Sequence, residues 1–302
     1  MFDGFESAQI GTSETTIFLR RSGHGPPLLL LHGFPQTHLM WRAVAPYLAR
    51  RFTVICADLR GYGSSSCPPS TPDHAPYSKR AMAVDMVSVM KRLGFPQFAV
   101  AGHDRGGRVA YRLALDHPES VTRLAVLDVV PTGMAWARAD ADFALSFWPW
   151  SLLAQDEPLP ERILTSNATD IVASAIDHWG SASEIFPPDI RAAYAEALRD
   201  PAHAHAICEE YRAAAGIDRE HDAADEKAGR RIACPALALW SGKGPLNNWY
   251  QKEGGPLGLW GQIADQVRGQ AVDGGHFFPE ELPRQTADSL ARFFFKGQNS
   301  VN

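Results

Sequence analysis

Short apolar runs and amphipathic stretches alternate through the first third of the chain. Residues 27–32 form a nearly unbroken apolar run of strand length, the pattern of a strand buried on both faces. Residues 52–57 repeat it and end at Asp58, and residues 16–20 read as a further strand. The period then changes. Met82, Met86, Val89 and Leu93 recur every three or four positions within residues 78–93, which predicts one buried stripe on a helix. A strand follows over 98–102, a helix over 108–116 and a strand over 124–127 that ends in Asp128. Parallel strands need long crossover connections, so this alternation predicts an α/β fold with a mostly parallel sheet flanked by helices.

From 131 to 230 the rhythm breaks. No strand pattern stands out, helix formers dominate, and Pro149, Pro158, Pro160, Pro187, Pro188 and Pro201 act as breakers. This stretch reads as a helical insertion. Strand patterns resume over 236–240 and briefly over 270–272, Gly274-Gly275 interrupts the chain before His276, and residues 285–295 close with a helix. The expected organisation is a core over 1–133, a helical cap over 134–230 and the rest of the core over 231–302. The glycine-rich piece 242–261 is expected to be a loop.

Composition narrows the function classes. Of 302 residues, 45% are hydrophobic and 21% charged, which sets a disordered or fibrous chain aside. Lys+Arg 29 against Asp+Glu 34 gives a net charge of −5, unlike a basic nucleic-acid binder. No apolar run is long enough to span a bilayer, so no membrane partner is expected. Asp3 and Glu6 stand where a secretory leader would carry basic residues. Cys56, Cys67, Cys208 and Cys234 show no C-x-x-C spacing, so reduced thiols are expected rather than disulfides or a zinc site.

The chemistry concentrates in Gly102-His103-Asp104-Arg105-Gly106-Gly107. A predicted strand precedes it, a predicted helix follows, and glycines flank the centre. This is the layout of a nucleophile elbow, loosened by one residue, with Asp104 where serine is usual. A carboxylate is already ionised at neutral pH. It can displace a leaving group from saturated carbon and form an alkyl ester, which water must then cleave with a base. On its own Asp104 reads as a helix N-cap, but the flanking glycines and a candidate partner His and Asp make it the expected nucleophile. His276 follows the last predicted strand and is the candidate base. The acid that orients it is Asp128, with Asp273 as the alternative, and His32 and His103 read as structural hydrogen-bonders.

Arg105 and Arg108 lie three residues apart and share a helix face beside Asp104. An anionic substrate approaching Asp104 meets a like charge, worth ~1 kcal/mol at about 4 Å in water and ~4 kcal/mol at an effective dielectric of about 20. Two guanidinium groups would reverse that sign and clamp a carboxylate. The alternative is that they merely neutralise Asp104 and Asp128. Arg112, one turn on, is expected at the surface. Trp148, Trp150, Trp179 and Tyr211 in the insertion carry N–H and O–H donors that could receive a halide, or could simply pack.

The combination His32-Gly33-Phe34-Pro35-Gln36, Asp58-Leu59-Arg60-Gly61-Tyr62-Gly63, His103-Asp104-Arg105-Gly106-Gly107-Arg108, Asp128 and Gly274-Gly275-His276-Phe277 closely resembles the haloacetate dehalogenases of the α/β-hydrolase superfamily. The resemblance extends through cap segments 150–155 and 208–214. It implies that Asp104 attacks the halogen-bearing carbon and that His276, oriented by Asp128, activates water. It implies further that Arg105 and Arg108 hold the substrate carboxylate, that Phe34 borders the substrate, and that Trp150 and Tyr211 form the halide pocket with Trp179 nearby. No metal or organic cofactor is expected. The implied partners are a small haloacetate and a halide, and the implied setting is a cytoplasmic homodimer. One position departs from the pattern: fluoride-cleaving members carry a histidine just before the cap tryptophan, where this chain has Pro149. Proline supplies no donor, and losing one such donor costs on the order of 2–4 kcal/mol in the transition state. Chloro- and bromoacetate are therefore expected to react better than fluoroacetate.

Two other functions fit parts of this pattern. An epoxide hydrolase would use the same Asp–His–Asp set, but it needs two cap tyrosines, and only Tyr194 and Tyr211 lie in the insertion. A non-catalytic small-molecule receptor on the same fold would not need the triad at all. A plain esterase fits less well, since an Asp attacking an ester gives an anhydride.

Overall fold

The computed structural model describes residues 2–181 and 183–295. Eight strands form one sheet: β1 (Glu6–Gly11), β2 (Thr16–Ser22), β3 (Pro27–Leu31), β4 (Thr53–Ala57), β5 (Phe98–His103), β6 (Val121–Leu127), β7 (Ala236–Ser241) and β8 (Val267–Val272). Their spatial order is β1-β2-β4-β3-β5-β6-β7-β8. All pairings from β4 to β8 are parallel, and β1 and β2 add an antiparallel edge.

Alternation along the central strands builds two cores. Leu29, Leu31, Ile55, Val100, Leu124 and Val126 point into one cluster, which the helices Lys79–Arg92 and Arg105–Asp116 cover with Met82, Met86, Val89 and Val109. Leu28, Leu30, Val54, Ala101, Ala125 and Leu127 point the other way, towards the helices Ala45–Leu48 and Pro283–Phe295. Strands covered on both faces are the reason their sequences read as continuous apolar runs.

The structure departs from the sequence expectations at the edges. β1 was not foreseen: it pairs only with β2 and is mostly exposed, so it carries no apolar run. β8, at the opposite edge, is longer than the expected 270–272 for the same reason. The presumed loop 242–261 is corrected outright. It contains two short 3-10 turns and a helix, Gly255–Ile263, that continues beyond it. Leu259 and Trp260 are fully buried there, and Trp260 Nε1 donates to Val129 O at 2.9 Å. That burial outweighs the ~1 kcal/mol per glycine that helix propensity costs.

Between β6 and β7 the described residues contain helices and no strand, from Thr132–Ala137 to Ile217–Lys227. Several prolines expected to break helices instead open them. Pro188 starts Pro188–Arg199 and Pro201 starts Pro201–Ala215, where a missing N–H costs nothing. Asp200 caps the latter by accepting from Ala202 N and His203 N. Among the described residues, no helix is long and apolar enough to cross a membrane. None of the four cysteines is paired.

Candidate active site

Asp104 stands between β5 and the helix Arg105–Asp116 with φ 47° and ψ −116°. A non-glycine residue in that region is strained, and such strain is held only where the surroundings enforce it. Here strand and helix touch through bare backbone. A Cβ on Gly102 would fall 2.2 Å from Gly106 O, so any larger residue would push the turn apart. The residue occupies the N-cap position, yet its side chain makes no capping bond. Instead Asp104 Oδ1 accepts from Phe34 N at 2.9 Å.

His276 and Asp128 meet beside it. Nδ1 lies 2.6 Å from Asp128 Oδ2, and Asp128 Oδ1 accepts from Ser241 N at 2.8 Å. With Nδ1 committed, the buried Nε2 has no protein partner. Burial pulls the His276 pKa down, but the Asp128 hydrogen bond and charge, followed by the Asp104 charge, outweigh it and hold the pKa above the ordinary value. Asp273, the alternative acid, points to solvent with 93% of its side chain exposed and pairs with Lys243 Nζ at 3.5 Å. His32 accepts from Leu59 N at 3.1 Å through Nε2 and donates to Gly33 O through Nδ1. His103 donates from Nε2 to His276 O, and burial brings its pKa down to about 4, so it stays neutral.

A narrow cavity borders these groups, lined by Asp104, Asp128, Arg108, Phe143, Trp150 and Tyr250 among others. The two arginines play unequal parts. Arg108 lines the cavity, stacks on Trp150 with Cζ 4.2 Å from the ring centroid, and donates from Nη1 to Val130 O. Arg105 is fully buried behind Tyr211, with Cζ 4.0 Å from that ring, and its Nε bonds Glu210. Among the described residues, neither forms an ion pair with Asp104 or Asp128. Arg112 is not a surface residue, contrary to expectation. It is 1% exposed and pairs with Asp222, Asp225 and Asp116. Those carboxylates come mainly from the helix Ile217–Lys227, whose docking the local sequence does not reveal.

The aromatic candidates also separate. Trp150 lies on the cavity wall. The Phe34 ring packs edge-on to Tyr211 at 5.8 Å. Trp179 packs against His276 at 5.2 Å, but its Nε1 donates to Ser146 O, so that donor is spent. Trp148 is half-buried and off the cavity. Pro149 is buried in the short helix Trp148–Leu152. Tyr250 was missed because it lies in the segment taken for a loop. Glu210 was missed because an acidic residue on a helix looks like any solvated position.

Residues 26–281 match the family model for the alpha/beta hydrolase fold. Across its whole length the chain is 41% identical to the fluoroacetate dehalogenase of a Burkholderia sp, aligning 303 positions and 98% of that protein. The chain belongs to the haloacetate dehalogenase family of the α/β-hydrolase superfamily. As a member of that family it is a hydrolase acting on carbon–halide bonds. A soluble epoxide hydrolase of Corynebacterium sp. (strain C12) is 33% identical, over 90% of this chain and 91% of that one. The crystal structure of ALR0039 from Nostoc sp PCC 7120 superposes with a TM-score of 0.93 at 47% identity, covering 97% of this chain and 99% of that one.

Proposed function

We propose that this family member hydrolyses short 2-haloacids, haloacetates above all, to 2-hydroxyacids and halide through an ester on Asp104. The supporting observation is that Asp104 and Arg108, a guanidinium with no acidic partner among the described residues, share one small cavity.

A carboxylate oxygen of Asp104 attacks the carbon next to the substrate carboxyl group, and the carbon–halogen bond breaks with its electron pair leaving on the halide. His276 Nε2 then takes a proton from water. The hydroxide attacks the ester carbonyl carbon of Asp104, and the developing oxyanion at Oδ1 meets the Phe34 N–H. Collapse expels the 2-hydroxyacid and restores the carboxylate, and the imidazolium is held by Asp128 until its proton leaves. Arg105 and Arg108 receive the substrate carboxylate, and Trp150 and Tyr211 receive the halide. The insertion over 134–230 acts as a cap over the cavity, and the setting carried by the family resemblance is a cytoplasmic homodimer.

With Pro149 in place of a donor, fluoroacetate is the poor substrate and chloro- and bromoacetate the good ones. An epoxide hydrolase would need two free phenols from the insertion. Tyr194 is fully buried with its hydroxyl on Glu280 at 3.2 Å, so it is committed elsewhere. A His276→Asn variant incubated with chloroacetate tests the reading. Mass spectrometry is expected to find one carboxymethyl group, mapped to Asp104. An unmodified Asp104 in a folded variant that binds glycolate would sink it.

A further inference from the structure

The charge on Arg105 is already answered inside the protein. Its Nε donates to both carboxylate oxygens of Glu210, at 2.7 and 2.9 Å, and Nη2 lies 2.7 Å from Oε1. Glu210 comes from the insertion helix Pro201–Ala215, whereas Arg105 opens the core helix Arg105–Asp116. Two further donors reach the same carboxylate: Lys79 Nζ, and Tyr62 Oη at 3.0 Å. Asp218 completes the cluster, accepting from Lys79 N at 2.9 Å and lying 3.5 Å from Nζ. The cluster thus balances two cations against two anions. The side chains of Arg105, Lys79 and Glu210 have at most 1% exposure. Burial favours the acid form of Glu210, but Arg105 and Lys79 override it and hold the pKa down at about 2, so the carboxylate stays ionised.

This pairing consumes only one edge of the guanidinium. Nη1 is buried and makes no hydrogen bond. A buried donor of that kind is costly unless something brings it an acceptor. Arg105 cannot swing to find one, because Glu210 grips Nε and the Tyr211 ring lies 4.0 Å from Cζ. We propose that Glu210 is a positioning residue for the substrate carboxylate: by fixing the Nε edge of Arg105 it holds Nη1 ready for that carboxylate. Arg108, which has no acidic partner among the described residues, supplies the unbalanced positive charge. The two arginines divide the work, Arg105 setting orientation and Arg108 attraction. The inference rests on the haloacid reading above.

The test compares full-length wild type, Glu210→Gln and the double variant Lys79→Met/Glu210→Gln. Halide release from bromoacetate is one readout. Calorimetric binding of glycolate is the other and needs no turnover. Glu210→Gln is expected to raise the bromoacetate KM and the glycolate Kd together by ~10-fold or more. The kcat should fall by up to about 10²-fold, the usual consequence of a misaimed reactant. The double variant removes the ammonium with the carboxylate, so charge is again balanced, but Arg105 keeps one neutral amide oxygen in place of the charged two-oxygen hold. It is expected to keep the defect. Recovery of wild-type KM and Kd in the double variant would mean that Glu210 only neutralises Lys79, and would overturn the proposal. An unchanged glycolate Kd in folded Glu210→Gln would do the same. Wild type that binds glycolate but releases no halide would remove the dehalogenase reading alone, leaving the binding comparison to judge Glu210. Wild type that does neither overturns both.

Discussion

His276 Nδ1 and Asp128 Oδ2 lie 2.6 Å apart although 148 positions separate them in the chain. The contact fixes the imidazole so that Nε2 is the free nitrogen. Replacing Asp128 with Asn removes the charge and favours the wrong tautomer. Steady-state halide release is expected to fall by about 10⁴-fold. The alkyl ester on Asp104 should accumulate in the same variant, visible by mass spectrometry.

As the proposed base of ester cleavage His276 must be neutral, and in the free protein its pKa is raised. Activity limited by ester hydrolysis is therefore lost as pH falls through that pKa. Alkylation neutralises Asp104, which is one of the groups raising it. The acidic limb of kcat is thus expected at a lower pH than the His276 titration of the free protein, read by NMR. Coincident values would show that the Asp104 charge does not reach the base.

On the proposed reading, Pro149 sets the choice of halide. Pro149→His is expected to raise fluoride release from fluoroacetate by on the order of 10²-fold. Bromide release from bromoacetate should change far less, because bromide leaves without such help. A fluoride-selective electrode and ion chromatography measure the two rates. Equal effects on both substrates would remove the donor argument.

Gly33 leaves room for the Asp104 side chain. A Cβ there would fall 2.4 Å from Asp104 Oδ1 and 2.5 Å from Asp104 Cβ. Gly33→Ala must therefore displace Asp104. Halide release is expected to drop by at least about 10²-fold, as misplacement by about 1 Å does. The chain should still fold, shown by an unaltered far-UV circular dichroism spectrum.

Arg112 joins the core helix Arg105–Asp116 to the insertion helix Ile217–Lys227. Its guanidinium lies 2.6 Å from Asp222 and also bonds Asp225. Arg112→Ala removes this shared cation from a mostly buried site, leaving Asp225 with Arg230 and Asp222 with the Tyr111 hydroxyl and Gly133 N. Urea unfolding is expected to show a loss of about 1.5–3 kcal/mol. A loss below ~1 kcal/mol would mean that the acids rehydrate freely.

Legibility followed the physics of burial. Central strands such as β3 and β5 are covered on both faces, so their apolar runs announce them. Edge strands β1 and β8 bury little and left weak traces. The glycines around Asp104 were readable because backbone contact excludes side chains, whatever the rest of the fold does. Tyr250 and Glu210 were not, because nothing in their own segments distinguishes a cavity wall or a buried anion from a solvent-facing residue.

The amino-acid order alone determined the layered α/β architecture, the carboxylate at the strand–helix turn and the candidates for its partners. These depend on periodicity and on local steric exclusion, which are properties of short segments. Tertiary structure decided that Asp128 rather than Asp273 meets His276, that Arg112 is buried, and that Arg105 is held by Glu210 while Arg108 faces the cavity. Such pairings join residues far apart in the chain, and their energies depend on mutual distance and exclusion of water, which exist only once the segments have packed.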